Sequence, residues 1–499
     1  MTLKQFAAKI FASLIVCQTN AWATKPVATQ RAVLAALVKQ AQDTQFGKDH
    51  DFKAIKTHQD FIERVPIRDY EDLKEYVQKA VLGVSDVLWP GRPAYFAKTS
   101  GTTSGAKYIP ITKISIAAQV KASRDAILHY IHQTGNIEFV SKKMIFLQGS
   151  PVLDTSSYIP TGRLSGISAH YVPAYLQKNR LPSWETNCIE DWETKVDAVV
   201  SETISEDMGV IAGIPSWVQM YFERLRAKSG KPVGDLFKNF NLFIYGGVNY
   251  EPYRANFENL IGRKVDTIEL FPASEGFFAY QDLQEEKGML LLLNSGIFYE
   301  FILVDQFFED HPTRLTIGEV TLGVNYVLVI STNAGLWGYN IGDTVQFTSL
   351  APYRIIVSGR IKHFISAFGE HVIAKEVEYA MQEAISKTDA RVLEFTVAPQ
   401  IAPQEGLPFH EWLVAFEKEP SDLAFFSSIL DTALQAQNSY YKDLVLGKVL
   451  KPLQITSLPS DAFTQYMKTK GKLGGQNKVQ RLSNDRLIAN ALHKIKAHV

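Results

Sequence analysis

Four short apolar runs leave this chain few choices of fold: Met144-Ile-Phe-Leu147, Val210-Ile-Ala212, Leu242-Phe-Ile-Tyr245 and Thr267-Ile-Glu-Leu-Phe271. Each has the length of a buried strand and is too short for a helix. Between them, residues 190–206, 215–228 and 250–261 repeat apolar positions at helical spacing. Strands this apolar are buried on both faces, and the helices alternating with them supply the cover. The expected class is α/β, with ligands bound beyond the carboxyl ends of the strands.

From 277 to 358 the pattern turns strand-rich, at Leu290–Leu293, Phe298–Val304, Glu319–Leu322, Tyr326–Ser331, Thr344–Phe347 and Arg354–Val357. A boundary is expected near Ser358-Gly-Arg-Ile-Lys-His363. Beyond it, Val377, Ala380, Met381 and Ala384 mark a helix, Arg391–Val397 and Trp412–Phe416 strands, and 422–436 a further helix. The expectation is a large domain over 1–358 and a small α+β domain over 359–499, ending in Lys-rich residues with little pattern. Upstream, helices are expected over 30–43 and 114–133, and Asp69 is expected to cap a short helix opened by Val65-Pro-Ile-Arg-Asp-Tyr-Glu-Asp-Leu73.

Charge removes some partners from consideration. The chain carries 52 basic and 52 acidic residues, which gives no electrostatic reason to expect nucleic acid. Cys17 and Cys188 form no C-x-x-C pair and fit a reducing compartment. Beyond the first residues, no apolar run reaches the ~18 needed to span a membrane. At the N-terminus, Lys4 and Lys9 precede Ile10–Val16, and Ala21-Trp-Ala23 has the form of a cleavage site. The other reading is an amphipathic first helix, since Gln18-Thr-Asn20 interrupts the apolar run. The second is the expectation for Met1–Ala23.

The chemistry is concentrated in Lys98-Thr-Ser-Gly-Thr-Thr-Ser-Gly-Ala-Lys-Tyr-Ile-Pro110. Gly101 and Gly105 allow close backbone approach. The hydroxyls of Thr99, Ser100, Thr102, Thr103 and Ser104, with the loop N–H groups, offer donors to anionic oxygens, and Lys107 adds a point charge. This is not a Walker A loop, because Ala106 separates the second glycine from the lysine. The expected order is strand or loop, phosphate-binding turn, then helix. A polar surface loop would have the same composition. Three further motifs follow: Phe271-Pro-Ala-Ser-Glu-Gly276, Tyr339-Asn-Ile-Gly-Asp343 and Ser358-Gly-Arg-Ile-Lys-His-Phe-Ile-Ser-Ala-Phe-Gly-Glu-His-Val372. Singly these could be a solvated turn carboxylate, a turn former and a linker.

In this order the set resembles the Gretchen Hagen (auxin-responsive promoter) family of acyl-acid amido synthetases, within the adenylate-forming superfamily. The glycine loop is similar to that superfamily's S-G-T-T-G-x-P-K signature, with Ser104 inserted and the proline missing. The likeness runs from Gln30 to Gly474-Gly-Gln-Asn-Lys-Val-Gln-Arg-Leu-Ser-Asn484. It implies a large adenylate-forming N-terminal domain and a small mobile C-terminal one. It also implies ATP-dependent adenylation of a small carboxylic acid, then acyl transfer to an amine such as an amino acid, with Mg²⁺ as cofactor in the cytoplasm. By resemblance, Ser100–Lys107 with Thr99 would hold phosphate oxygens, and Tyr245, Gly246, Gly247, Ala273 and Ser274 would line the nucleotide. Glu275 would ligate Mg²⁺, Asp343 would accept from the ribose hydroxyls, and Arg360 would contact ribose or phosphate. Lys478, with Lys472 as its competitor, would be the catalytic tail lysine.

Two departures weaken any transfer of substrate detail from plant members: Gln480 stands where they have proline, and Asn340-Ile replaces a basic residue. Tyr130, Tyr158 and Tyr171 are candidate acyl contacts by analogy, although such aromatics are more often core. The alternatives are an acyl-CoA ligase sharing the adenylation step and a non-enzymatic adenylate-binding effector.

Overall fold

The computed structural model describes residues 3–99, 107–172, 177–247, 250–361, 364–365, 372–401, 403, 405–446, 449–471, 479–483 and 485–497. The chain divides into two compact units, Met1–Val248 with Ile261–Ile356, and Asn249–Leu260 with Val357–Val499. The segment 249–260 therefore packs with the second unit, although its neighbours in sequence on both sides belong to the first.

The first unit is built on an eleven-stranded sheet. One part is parallel: Arg180–Leu181, Lys143–Phe146, Met208–Ala212, Leu242–Gly246 and Asp266–Ala273 lie side by side in that order. All five residues of Met208–Ala212 are buried, as a strand covered on both faces requires. Asp266–Ala273 turns back into Gly276–Tyr280, and from there the sheet continues through Met289–Leu291, Tyr353–Arg360, Tyr339–Leu350, Asn325–Thr332 and Ile297–Leu303. The expected strands therefore form, with one exception. Glu319–Leu322 is not a regular strand: the Glu319 carboxylate accepts from the Thr316 N–H at 2.8 Å and its hydroxyl at 2.6 Å, closing a turn, and only Leu322 makes an isolated bridge, to Phe347. Such side-chain bonds compete with strand pairing.

The stretch after the glycine loop also departs from expectation. Tyr95–Thr99 pairs antiparallel with Lys107–Ile111, from Tyr95 opposite Ile111 to Thr99 opposite Lys107, and the helix Lys113–Thr134 starts only afterwards, capped by Thr112. The loop thus joins two strands instead of opening a helix. Leu3–Ala23 is a single helix through Gln18-Thr-Asn20, and its Ala12 and Ile15 share a buried cluster with Ala122 and Ala126 of the Lys113–Thr134 helix. No helix among the described residues is long and apolar enough to cross a membrane.

The second unit carries a three-stranded sheet, Arg391–Gln400 against Phe409–Lys418 against Gln454–Leu458. The helices Ala374–Ser386 and Leu423–Gln437 contribute Val377, Met381, Phe426 and Leu430 to its core. The C-terminal residues do have structure. Leu487–Ala497 is a helix whose Ala489 and Leu492 are fully buried with Ala398 and Leu413.

Candidate active site

Two glycines and a carboxylate gather at the carboxyl ends of the parallel strands. Gly246 ends Leu242–Gly246 opposite Leu270. A Cβ there would stand 2.6 Å from the Leu270 carbonyl oxygen, so strand packing alone demands glycine at this position. Gly247 follows with φ +83°, a conformation that side chains disfavour, and lets the chain leave the sheet sharply. On the next strand, Ala273 pairs with Gly276 across a two-residue turn made of Ser274 and Glu275. The turn places Glu275 at a hairpin tip, with Ser274 buried beside it.

Asp343 owes its position to a bulge. Val327 pairs with Thr344 but Val329 pairs with Asn340, so extra residues of Tyr339–Leu350 bow out between them. Gly342 supplies φ +84° in this bow, and the Asn340 side-chain oxygen accepts its N–H at 2.8 Å. Bulges commonly re-aim a side chain beside a functional site. Asp343 is 6% exposed.

What ties the glycine loop to this bulge is the segment 65–71. The Arg68 N–H donates to the Gly338 carbonyl and the Asn340 N–H donates to the Arg68 carbonyl, both at 2.8 Å. Two residues on, the Tyr70 hydroxyl oxygen accepts the N–H of Tyr108 at 2.9 Å, and the Lys107 ammonium lies 5.5 Å from the centre of the Tyr70 ring. Asp69 caps the helix Tyr70–Val81 with a capping box, as the sequence suggests. Tyr108, Ala273 and Ile341 all border one hydrophobic cluster, so the three motifs share a single core.

Arg68 and Tyr70 lie in the segment Val65–Glu71 that the sequence marks out, but no role for either side chain is readable there, because their partners are far away in the chain. The Arg68 guanidinium bonds His50 at 2.8 Å, and burial lowers the His50 pKa. Tyr70→Phe would keep the ring beside Lys107 and strip the Tyr108 N–H of its acceptor, at an expected cost of about 1 kcal/mol in urea unfolding. An unchanged urea midpoint would show that the bond does not stabilise the hairpin.

Other candidates fall elsewhere. Thr99 and Lys107 end the two strands of the hairpin, whereas Ser100, Gly101, Thr102, Thr103, Ser104 and Gly105 lie outside the described residues. So do Lys472 and Lys478, and for Arg360 only the backbone, at the end of Tyr353–Arg360, is described. Tyr130 is core: its hydroxyl donates to Asp266 at 2.6 Å, at the amino end of that strand and away from Glu275. Tyr171 bonds the Tyr95 hydroxyl, and Tyr158 lies over Gly83 with 79% of its surface exposed.

Among the described residues no cluster of His, Cys, Asp or Glu could hold a metal unaided. A single carboxylate such as Glu275 does fit Mg²⁺, which is usually held by one or two carboxylates together with substrate phosphates and water.

Comparison with known proteins settles the family. The GH3 family N-terminal domain matches residues 18–185, the GH3 family central domain 290–360 and the GH3 family C-terminal domain 375–487. The chain belongs to the GH3 family. Among curated relatives, the Arabidopsis thaliana indole-3-acetic acid-amido synthetase GH3.10 is 26% identical over 196 residues, 38% of this chain and 32% of the relative. Indole-3-acetic acid-amido synthetase GH3.3 of the same plant is 25% identical over 196 residues, 37% of this chain and 33% of the relative. The chain thus matches about a third of the length of these relatives. Among solved structures, the GH3.15 acyl acid amido synthetase superposes with a TM-score of 0.79 at 14% identity, over 97% of this chain and 96% of that one. A 2-hydroxyisobutyryl-CoA ligase in its postadenylation state gives 0.61 at 14% identity, over 94% and 92%. This GH3 chain therefore has the fold of adenylate-forming ligases.

Proposed function

We propose that this GH3 protein joins a small carboxylic acid to an amine, with an amino acid as the acceptor class, at the expense of ATP. In the first step a carboxylate oxygen attacks the α-phosphorus and pyrophosphate leaves. In the second the amine nitrogen attacks the acyl carbon, AMP leaves and the nitrogen loses a proton. The observation that carries the reading is the bridge through 65–71, which fastens Lys107 at the glycine loop to the strand bulge bearing Asp343.

In this reading Thr99 and the loop 100–107 cradle the phosphates, Tyr245–Gly247 with Ala273 and Ser274 line the base, and Asp343 accepts from the ribose. Arg360 contacts ribose or phosphate. Glu275 would hold Mg²⁺, which when bound offsets the charge of the two anions brought together. Lys478 approaches the α-phosphate and acyl oxygens from a small mobile domain beginning near residue 359. A need for ATP supports a cytoplasmic location.

Pyrophosphate release, measured over a panel of carboxylic acids, tests the first step, and a panel that gives none sinks the enzyme reading. Adding amino acids or CoA to the positive acids tests the second, where a thioester product would shift the assignment to an acyl-CoA ligase. Asp343→Ala should weaken ATP binding roughly ten- to a hundredfold, the worth of hydrogen bonds to a charged group, with or without the acid. Glu275→Gln should raise the Mg²⁺ concentration needed for half-maximal rate. Equal, metal-insensitive losses in the two variants would contradict these separate roles.

A further inference from the structure

Both ring nitrogens of His50 are committed. The residue follows the helix Gln45–Asp49, with Nδ1 2.9 Å from the Phe46 carbonyl oxygen and Nε2 2.8 Å from Arg68 Nη2. A carbonyl oxygen can only accept, and a guanidinium can only donate. Nδ1 must therefore carry the hydrogen, and Nε2 must turn its lone pair to Arg68. That bond exists only while the imidazole is neutral. A second proton would set N–H against N–H and bring two like charges together. The ring is also stacked on Phe46, with centroids 3.9 Å apart, so it has little freedom to turn away.

Arg68 is where this bond reaches the candidate site. Its N–H donates to the Gly338 carbonyl, and its own carbonyl accepts the Asn340 N–H. The approach is close, since a Cβ on Gly338 would stand 2.6 Å from the Pro66 carbonyl oxygen. Phe46 in turn stacks on Trp337, the residue before Gly338, with centroids 6.0 Å apart. The side chain and backbone of Arg68 thus join His50 to the start of the bow that carries Asp343, all within the first unit. The other charged or titratable groups that face the pair are Asp49 beside the ring, and Asp72 and Tyr76 on the helix Tyr70–Val81 beside Arg68. The Tyr76 hydroxyl donates to Asp49 at 2.8 Å. Burial, opposed chiefly by the Phe46 carbonyl, holds the His50 pKa below its ordinary value.

We infer that neutral His50 is a positioning residue for nucleotide binding: by accepting from Arg68 it keeps the Asp343 bow in its binding geometry, and its protonation in acid releases Arg68. The inference rests on the assignment of Asp343 to the ribose.

ATP binding to the full chain, without acid substrate, tests it between about pH 7.5 and 5, on both sides of the ordinary histidine value of about 6.5. Wild-type affinity should fall on the acid side of that value. His50→Gln puts a neutral acceptor where Nε2 stands and cannot take up a proton. It should bind ATP as the wild type does at the upper end of the range and lack the fall that His50 causes. The terminal phosphate of ATP titrates in this range as well, so the reading is the difference between the two proteins at each pH. His50→Phe keeps a ring on Phe46 and removes the acceptor. It should weaken ATP binding about 2- to 30-fold at neutral pH, the usual size of an effect carried through a bonded network. A merely structural role for His50 would leave the wild type and His50→Gln with the same pH profile. Parallel profiles for those two proteins, or wild-type affinity in His50→Phe, would overturn the inference and leave the ribose assignment in place. Wild-type ATP affinity in Asp343→Ala would overturn that assignment and the inference with it.

Discussion

Lys478→Ala should slow acyl-adenylate formation by about 10²–10³, the rate equivalent of 2.7–4 kcal/mol for a preorganised donor at a developing charge. The loss should fall on one half-reaction. A lysine that reaches the α-phosphate and acyl oxygens contributes while pyrophosphate departs, and it has no part when an amine attacks a preformed adenylate. Pyrophosphate release should therefore collapse while a chemically supplied acyl-adenylate still yields amide. Lys472→Ala should do much less, since it lies outside the Gly475-Gln-Asn-Lys-Val-Gln-Arg481 register. A larger defect for Lys472→Ala would move the catalytic assignment six residues upstream.

The other large effect concerns stability. Glu300 is fully buried and accepts from Arg314 Nε and from His58 Nε2, both at 2.8 Å, while Arg314 Nη1 donates to the Val65 carbonyl. Removing the carboxylate charge leaves a buried guanidinium without its counter-ion, which typically costs about 3–5 kcal/mol. Glu300→Gln should lower the stability of the first unit by that order in urea unfolding. The damage should reach the site as well, because Val65 begins the segment that carries Arg68 and Tyr70. A loss under about 1 kcal/mol would mean that water or repacking compensates Arg314.

The same group sets a pH dependence. Burial alone would raise the Glu300 pKa, but Arg314 and His58 outweigh it and hold the carboxyl below its ordinary value. A depressed carboxylate contributes stability that is present above its unfolded pKa and lost as pH falls through the folded one. Wild-type stability should therefore drop on acidification below the ordinary carboxylate range, and Glu300→Gln should flatten that part of the profile.

Much of the first unit was legible in the sequence because its signal is local. Met208–Ala212 and Leu242–Gly246 are apolar throughout, and the Asp69 capping box can be read from spacing. Residues whose role depends on a distant partner were not legible. Lys107–Ile111 is a strand only because Tyr95–Thr99 lies beside it, and Pro110 within it gives no hint of pairing. Tyr70 matters through Tyr108, and Asn340 through Arg68. Leu487–Ala497 was readable in principle, since Ala489 and Leu492 lie three apart on one face, but the lysines around them obscured the stripe. Gly246 shows the opposite error. The neighbouring strand explains it without a nucleotide, so its fit to a binding motif adds little weight.

The interleaving of the two units has a consequence for biosynthesis. Residues 249–260 leave the ribosome well before Val357 and everything that follows it in the second unit. Domains generally fold as units during synthesis, the N-terminal one first. Here the strand Leu242–Gly246 and its neighbours can assemble while the helix Glu251–Ile261 still lacks the surface it packs on. Tyr253 lacks its Glu394 partner until that residue emerges, and the hydrogen-bonded cluster the two form with Arg481 closes only when Arg481 follows. A chain truncated before Arg481 would thus keep the sheet of the first unit and lack this clasp.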